Sequence, residues 1–175
     1  MEPLFSPWRG AYVEDIHKRH EGGCIFCSAF QGDDESHLVV GRGKVSFAML
    51  NLYPYNPGHI LIVPNRHLNR VQELGEAERG ELAEWVAKLE GVLRGSYKPD
   101  GINVGMNLGK AAGAGIEDHL HVHMVPRWNG DTNFMPVFFG TKVISEALKD
   151  SLRKIRQALL SARCHLGLFE SRLYF

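Results

Sequence analysis

Seven residues near position 120 constrain this chain more than any other stretch: His119-Leu120-His121-Val122-His123-Met124-Val125. In a β-strand successive side chains point to opposite faces. The three imidazoles therefore line one face, with neighbours about 6.5 Å apart along the chain. Leu120, Val122 and Met124 line the other and belong in a core. One lone histidine in a core is ordinary, whereas packing alone does not produce an alternating triple. Imidazole is neutral for a useful fraction of molecules near pH 7, and its nitrogen can attack phosphorus. Neighbouring imidazoles can carry protons or charge to phosphate oxygens and a leaving group. Three histidines could instead chelate Zn²⁺ or Fe²⁺ with an open position, as in a metal-dependent hydrolase. A nucleotide-binding or scaffold protein is a third reading.

Just upstream lies Gly109-Lys110-Ala111-Ala112-Gly113-Ala114-Gly115, small and flexible, whose backbone N–H groups could cradle phosphate oxygens. It lacks the Gly-Lys-Ser/Thr ending of a P-loop, so a Walker-type site is excluded.

The remaining chain supplies strands and two long helices. Leu38–Val40 and Val45–Leu50 are rich in β-branched and apolar residues and read as strand. Pro54-Tyr55-Asn56-Pro57-Gly58 is turn chemistry, followed by an apolar strand from His59 to Val63 that Pro64 ends. From Glu76 to Gly95, Leu82, Trp85, Val86, Leu89, Val92 and Leu93 recur every three or four residues, the stripe of an amphipathic helix. Gly101 to Asn107 reads as a further strand, and Val143 to about Arg163 as a second helix carrying Ile144, Leu148, Leu152, Ile155 and Leu159 on one side. A short helix over Ala11–Arg19 is also expected, and Phe134–Phe139 reads as an apolar core strand. The helix face with Lys149, Arg153, Lys154, Arg156 and Arg163 reads as solvated, and Cys164 as a buried thiol. Strands and packed helices without a regular βαβ alternation point to α+β. No linker or repeat divides the chain, which reads as a single domain over 1–175, with a core of about 24–136 and a C-terminal helix of about 143–163.

Charge and composition exclude several classes of partner. Twenty Lys plus Arg balance twenty Asp plus Glu, so the basic excess that accompanies extended nucleic-acid binding is missing. The longest apolar runs fall far short of the roughly 20 residues of a membrane span, and the first residues lack the pattern of a secretory signal. Three cysteines, two of them as Cys24-Ile25-Phe26-Cys27, make no disulfide framework. A reducing cytoplasm is expected, with a metal or redox role for the pair. Alone, that pair is half of a zinc site, since a closed tetrahedral site needs two more ligands.

The sequence resembles the histidine triad (HIT) proteins, defined by His-φ-His-φ-His-φ-φ with φ apolar, and His119 to Val125 match at every position. Asn51-Leu52-Tyr53-Pro54-Tyr55-Asn56-Pro57-Gly58-His59-Ile60-Leu61-Ile62-Val63-Pro64 resembles the family's other hallmark, a strand–turn–strand carrying Pro-Gly-His. The resemblance covers about Cys24 to Pro136. It implies a homodimer built on an antiparallel sheet flanked by two main helices, and cleavage or transfer of nucleoside monophosphates through a nucleotidyl-histidine. By that resemblance His121 is the nucleophile, His123 contacts phosphate oxygens, His119 supports the site and His59 braces the triad. Asn51 holds ribose hydroxyls, Asn107 contacts phosphate, and Gly113 and Gly115 belong to the phosphate loop. Some bacterial relatives hold structural zinc with such a cysteine pair plus two histidines, here His67 and His119.

The chain departs from the family's hydrolases just before the triad. Gly115-Ile116-Glu117-Asp118 stands where many members carry Gln or Ser/Thr, and Glu117 and Asp118 read as surface residues. With Trp128–Phe134 after the triad, this resembles the bacterial branch containing diadenosine tetraphosphate phosphorylases, which resolve the intermediate with phosphate instead of water. The implied substrate is a dinucleoside polyphosphate with adenine as the base, and a phosphoramidase of the same family is the neighbouring alternative.

Overall fold

The computed structural model describes residues 23–132 and 144–166, with backbone only for 163–166. The expected helix over Ala11–Arg19, the Phe134–Phe139 strand and the Cys164 side chain lie outside the described residues.

Two prolines and a glycine bring the chain back on itself at Pro54–Gly58, and the strands on either side pair antiparallel. These are β2 (Ser46–Leu50) and β3 (Ile60–Pro64), with Leu50 opposite Ile60 and Ser46 opposite Pro64. β1 (Val39–Arg42) adds to β2 with an irregular register between Val39 and Gly41. On the other side β5 (Val122–Arg127) pairs with β3, and β4 (Gly101–Gly105) closes the sheet outside it. The order is β1-β2-β3-β5-β4, antiparallel throughout. The chain is thus α+β, as its element pattern predicted.

Alternation sorts the strand residues between two cores. Ala48, Leu50, Ile60, Ile62, Val122 and Met124 face one side and pack beneath the two long helices. These are α2 (Glu76–Tyr97), burying Leu82, Trp85, Leu89, Val92 and Leu93, and α3 (Leu148–Leu166), burying Leu152, Ile155 and Leu159. Leu89 and Ile62 have no exposed surface, and truncating such a side chain to alanine costs about 2–5 kcal/mol. Val39, Phe47, Met49, Leu61 and Val63 face the opposite side, under Phe26 and Ala29 of a short helix, α1 (Ile25–Gln31). β2 and β3 are buried on both faces, which is why their sequences read as continuous apolar runs.

Several boundaries differ from the sequence reading. α3 begins at Leu148, and residues 144–147 lead into it without helical structure. Its basic face is not uniformly solvated. Arg156 donates twice to the Val39 carbonyl (2.6 and 3.1 Å) and pairs with Glu35, while Lys154 pairs with Glu146. β4 stops at Gly105 and not at Asn107. β5 begins only at Val122, because the Leu120 N–H is taken by the Leu68 carbonyl (2.7 Å) and not by a strand partner. Among the described residues no helix is long and apolar enough to cross a membrane.

Candidate active site

The Pro-Gly turn positions the first histidine. Gly58 has φ +75°, and a Cβ there would stand 3.1 Å from the Tyr97 ring at the end of α2. The Asn51 side-chain oxygen accepts the Tyr53 N–H (3.0 Å), which shapes the turn from within. His59 follows, fully buried. Its Nδ1 accepts the Tyr55 backbone N–H at 3.1 Å and faces the Asn51 amide nitrogen at 3.3 Å. A backbone N–H can only donate, so Nδ1 carries the lone pair and the ring proton sits on Nε2. That proton points at His123 Nδ1, 3.0 Å away. His123 must then be protonated on Nε2, a buried atom without a hydrogen-bond partner among the described residues.

The same logic assigns the other two rings. His121 Nδ1 lies 2.8 Å from the His119 carbonyl, to which it can only donate, so the Nε2 of His121 holds a lone pair. His119 Nε2 donates to the Pro64 carbonyl (2.9 Å), leaving its Nδ1 lone pair toward the cysteines. The His121 and His123 rings stand edge to face with centroids 4.8 Å apart. Phe26 of α1 packs against both His119 (5.4 Å) and His121 (4.9 Å).

Burial pushes the pKa of all three imidazoles down, because desolvation disfavours the charged ring. His123, which also faces His121, is lowered to about 4. At neutral pH the site therefore presents a free lone pair on His121 beside an N–H donor on His123. That combination suits nucleophilic attack on phosphorus with hydrogen bonding to the oxygens that gain charge.

His119 faces a different centre. Its Nδ1 is 3.3 Å from Cys24 Sγ and 3.7 Å from Cys27 Sγ, and His67 Nδ1 is 3.3 Å from Cys27 Sγ. The four ligand atoms lie within 4.8 Å of one another. Zinc–sulfur and zinc–nitrogen bonds of about 2.3 and 2.05 Å in a tetrahedron put sulfur about 3.6 Å from nitrogen, so this quartet fits a zinc ion. The Pro64 carbonyl fixes the ring of His119 in the tautomer a ligand needs. Burial raises the Cys27 thiol pKa, with Cys24 adding to it. The alternative of a triad chelating a catalytic metal does not match this geometry. Nδ1 of His121 and of His123 are bonded to a carbonyl and to His59, and only His119 belongs to the four-residue cluster.

The glycine loop is tighter than its composition suggests. Gly109 and Gly113 both have positive φ and flank one 3₁₀ turn, Lys110–Ala112. The N–H groups of Ala112, Gly113 and Ala114 are spent on Gly109 and Lys110 carbonyls. Gly113 therefore contributes its backbone conformation and not its own N–H. Gly115 is half-buried beside it, Asn107 is half-buried before it, and Glu117 and Asp118 are exposed as expected.

Beyond His123 a cavity of about 410 Å³ opens over β4 and β5, beside Tyr55 and Asn56 of the turn. Asn107 lines it, with residues the sequence reading passed over. Arg127 binds Asp131 through two hydrogen bonds (2.5 and 2.9 Å) and reaches Asn103 (3.0 Å). Asn56 holds Asp131 from behind at 2.8 Å and also the Pro126 carbonyl. The Arg127 guanidinium, followed by the Asn56 amide, keeps the Asp131 carboxyl well below the usual carboxylate range. The available signal was an Arg and an Asp four residues apart, directly after the histidine strand.

A model of the HIT domain matches residues 33–130. The chain belongs to the HIT family. It is 40% identical over 159 residues to the AP-4-A phosphorylase of Mycobacterium tuberculosis (strain CDC 1551 / Oshkosh), covering 87% of this chain and 82% of that one. Among solved structures, a Zn-bound histidine triad family protein from Mycobacterium smegmatis superposes with a TM-score of 0.66 at 25% identity, covering 81% of this chain and 96% of its own. A histidine triad nucleotide-binding protein from Sulfolobus tokodaii gives 0.68 at 27% identity, covering 85% of this chain and 100% of its own.

Proposed function

We propose that the protein cleaves dinucleoside polyphosphates of the diadenosine tetraphosphate type by nucleotidyl transfer through His121. The observation that carries this reading is the proton order His59 → His123, which leaves a donor on His123 Nε2 beside the His121 Nε2 lone pair. The similarity to an AP-4-A phosphorylase supports the substrate class. His121 Nε2 attacks the α-phosphorus, the P–O bond to the remaining phosphates breaks, and the leaving group keeps that oxygen. The His119 carbonyl then accepts the Nδ1–H of a positively charged ring, and this interaction strengthens as charge develops. Phosphate or water attacks the same phosphorus, the N–P bond breaks, and the neutral imidazole returns.

Around this chemistry Asn51 takes the ribose of the adenosine half, and Asn107 with the Gly113–Gly115 turn lies beside the phosphates. Cys24, Cys27, His67 and His119 would hold a structural zinc that cross-links α1 to the segment leading into β5. The exposed edge of β4, with Val104, Met106 and Leu108 in the open, suits pairing with a second copy as a homodimer. The free cysteine pair suits the cytoplasm.

The test is incubation with diadenosine tetraphosphate, with and without inorganic phosphate, and separation of products by ion exchange. ADP plus ATP only with phosphate means a phosphorylase, and AMP plus ATP without it means a hydrolase. Loss of turnover by several orders of magnitude in His121→Ala is expected; retained turnover in that variant overturns the mechanism.

A further inference from the structure

The turn that carries His59 is anchored at both ends, and the far anchor lies outside the triad. At its start the Asn51 side chain accepts the Tyr53 N–H. At its end the buried Asn56 donates its side-chain amide to the Pro126 carbonyl and to an Asp131 carboxylate oxygen, each at 2.8 Å. The Asn56 carbonyl also accepts the His59 N–H at 3.2 Å. Asn56 directly follows Tyr55, so whatever fixes Asn56 also fixes the Tyr55 N–H that occupies His59 Nδ1.

Asp131 is placed to hold that amide. β5 ends at Arg127, and the chain turns back at once, with Gly130 at φ +76° and the Asp131 N–H on the Trp128 carbonyl (3.0 Å). Positive φ is open to glycine without a Cβ penalty. The turn brings the Asp131 side chain, only 9% exposed, up to Asn56. Arg127 donates to both of its oxygens, the Trp128 N–H adds a bond at 3.3 Å and the Thr132 hydroxyl one at 3.2 Å. Held charged by these donors, the carboxylate can only accept. The Asn56 amide therefore meets two acceptors, Asp131 and the Pro126 carbonyl, and is locked one way round, since a flipped amide would set its own oxygen against them.

We infer that Asp131 is a positioning residue for the triad: through Asn56 it fixes the Tyr55 N–H on His59, and with it the tautomer in which His123 meets the substrate. The catalytic consequence rests on the reading of His123 as a donor to phosphate oxygens, whereas the tautomers are a property of the protein without substrate. The order runs from Asp131 through Asn56 and the Tyr55 N–H to His59, and from His59 to His123. A carboxylate that merely stapled the turn to the end of β5 would affect the melting point and leave the imidazole tautomers of the folded protein alone.

The experiment is proton–nitrogen correlation NMR of the imidazole rings in the whole protein, with kcat and KM on diadenosine tetraphosphate alongside. The wild type is expected to show His59 and His123 each protonated on Nε2 alone. Asp131→Leu should mix the two tautomers at both rings and lower kcat about tenfold, the weight of one lost hydrogen bond, with KM nearly constant. Asp131→Asn, which keeps an oxygen for the Asn56 amide, should restore the single tautomer. Asn56→Ala breaks the same link from its other side and should reproduce the mixture, which covers a failure of Asp131→Leu to fold. A single tautomer at His59 in either folded variant overturns the positioning role, and so does a mixture in Asp131→Asn. Tautomers that move as expected in a protein whose wild type cleaves no dinucleoside polyphosphate would support the positioning and refute the chemistry at His121.

Discussion

His59 Nε2 stands 3.0 Å from His123 Nδ1, and a backbone amide settles which of the two donates. The Tyr55 N–H occupies His59 Nδ1, so the proton order runs outward from the turn to the phosphate site. A residue that touches no reacting atom thereby decides that His123 meets the substrate as a donor.

Replacing His59 with Phe removes this order and leaves the Tyr55 N–H and the Asn51 amide without their acceptor. A buried hydrogen bond lost in this way costs about 1–3 kcal/mol, so kcat on diadenosine tetraphosphate should fall about 10- to 100-fold with little change in KM. Steady-state kinetics checks this; an unchanged kcat contradicts the positioning role.

His123 makes stability depend on pH. Its folded pKa of about 4 lies below the ordinary 6.5, so between these values the unfolded chain binds the extra proton. Its contribution is complete above pH 6.5 and is lost as pH falls toward 4. It amounts to at most about 3 kcal/mol, at about 1.4 kcal/mol per pKa unit. Denaturant unfolding at pH 4.5 and 7.5 should show a smaller loss in His123→Asn than in the wild type. The comparison separates this titration from acid effects on the cysteine–histidine cluster, which both proteins share. Equal losses contradict it.

The cluster of Cys24, Cys27, His67 and His119 predicts close to one zinc per chain by native mass spectrometry. Cys27→Ser should lose the metal. Losing about 3 kcal/mol of metal-linked stability lowers Tm by roughly 10 °C in a chain of this size. Metal-free protein purified without chelators, with an unchanged melting point in Cys27→Ser, contradicts a structural ion.

Gly58→Ala tests the turn. A side chain at φ +75° costs about 1–2 kcal/mol, and its Cβ would press on the Tyr97 ring. A fall in denaturation midpoint together with reduced kcat is expected, because the same turn carries His59. A stable variant with full activity shows that the turn has slack.

The sequence made the central sheet legible because its signals are local: an apolar run, a proline–glycine turn, another apolar run. α2 likewise followed from its stripe, extending two residues past Gly95 to Tyr97. The histidine strand was read to start three residues early, at His119 and not Val122, because nothing in the alternation shows that the Leu120 N–H bonds to Leu68, more than fifty residues earlier. The roles of His121 and His123 were legible as candidates. Their tautomers were not, since these depend on the carbonyl of His119 and on His59, which the fold alone brings into reach. Tyr55 passed as a turn residue and Arg127 was not singled out, because what matters for each is the open space beside it.

The triad's buried rings also bear on how the protein would respond to salt. Its three imidazoles are held neutral by burial, and Arg127 is cancelled by Asp131. At the triad itself a highly charged polyanion would thus be received by oriented N–H dipoles and not by an excess of positive charge. Screening by mobile ions acts on net charges at a distance and hardly on buried dipoles in contact. Affinity should then change little with ionic strength, so that substrate capture is buffered against osmotic swings that would loosen a lysine-rich site.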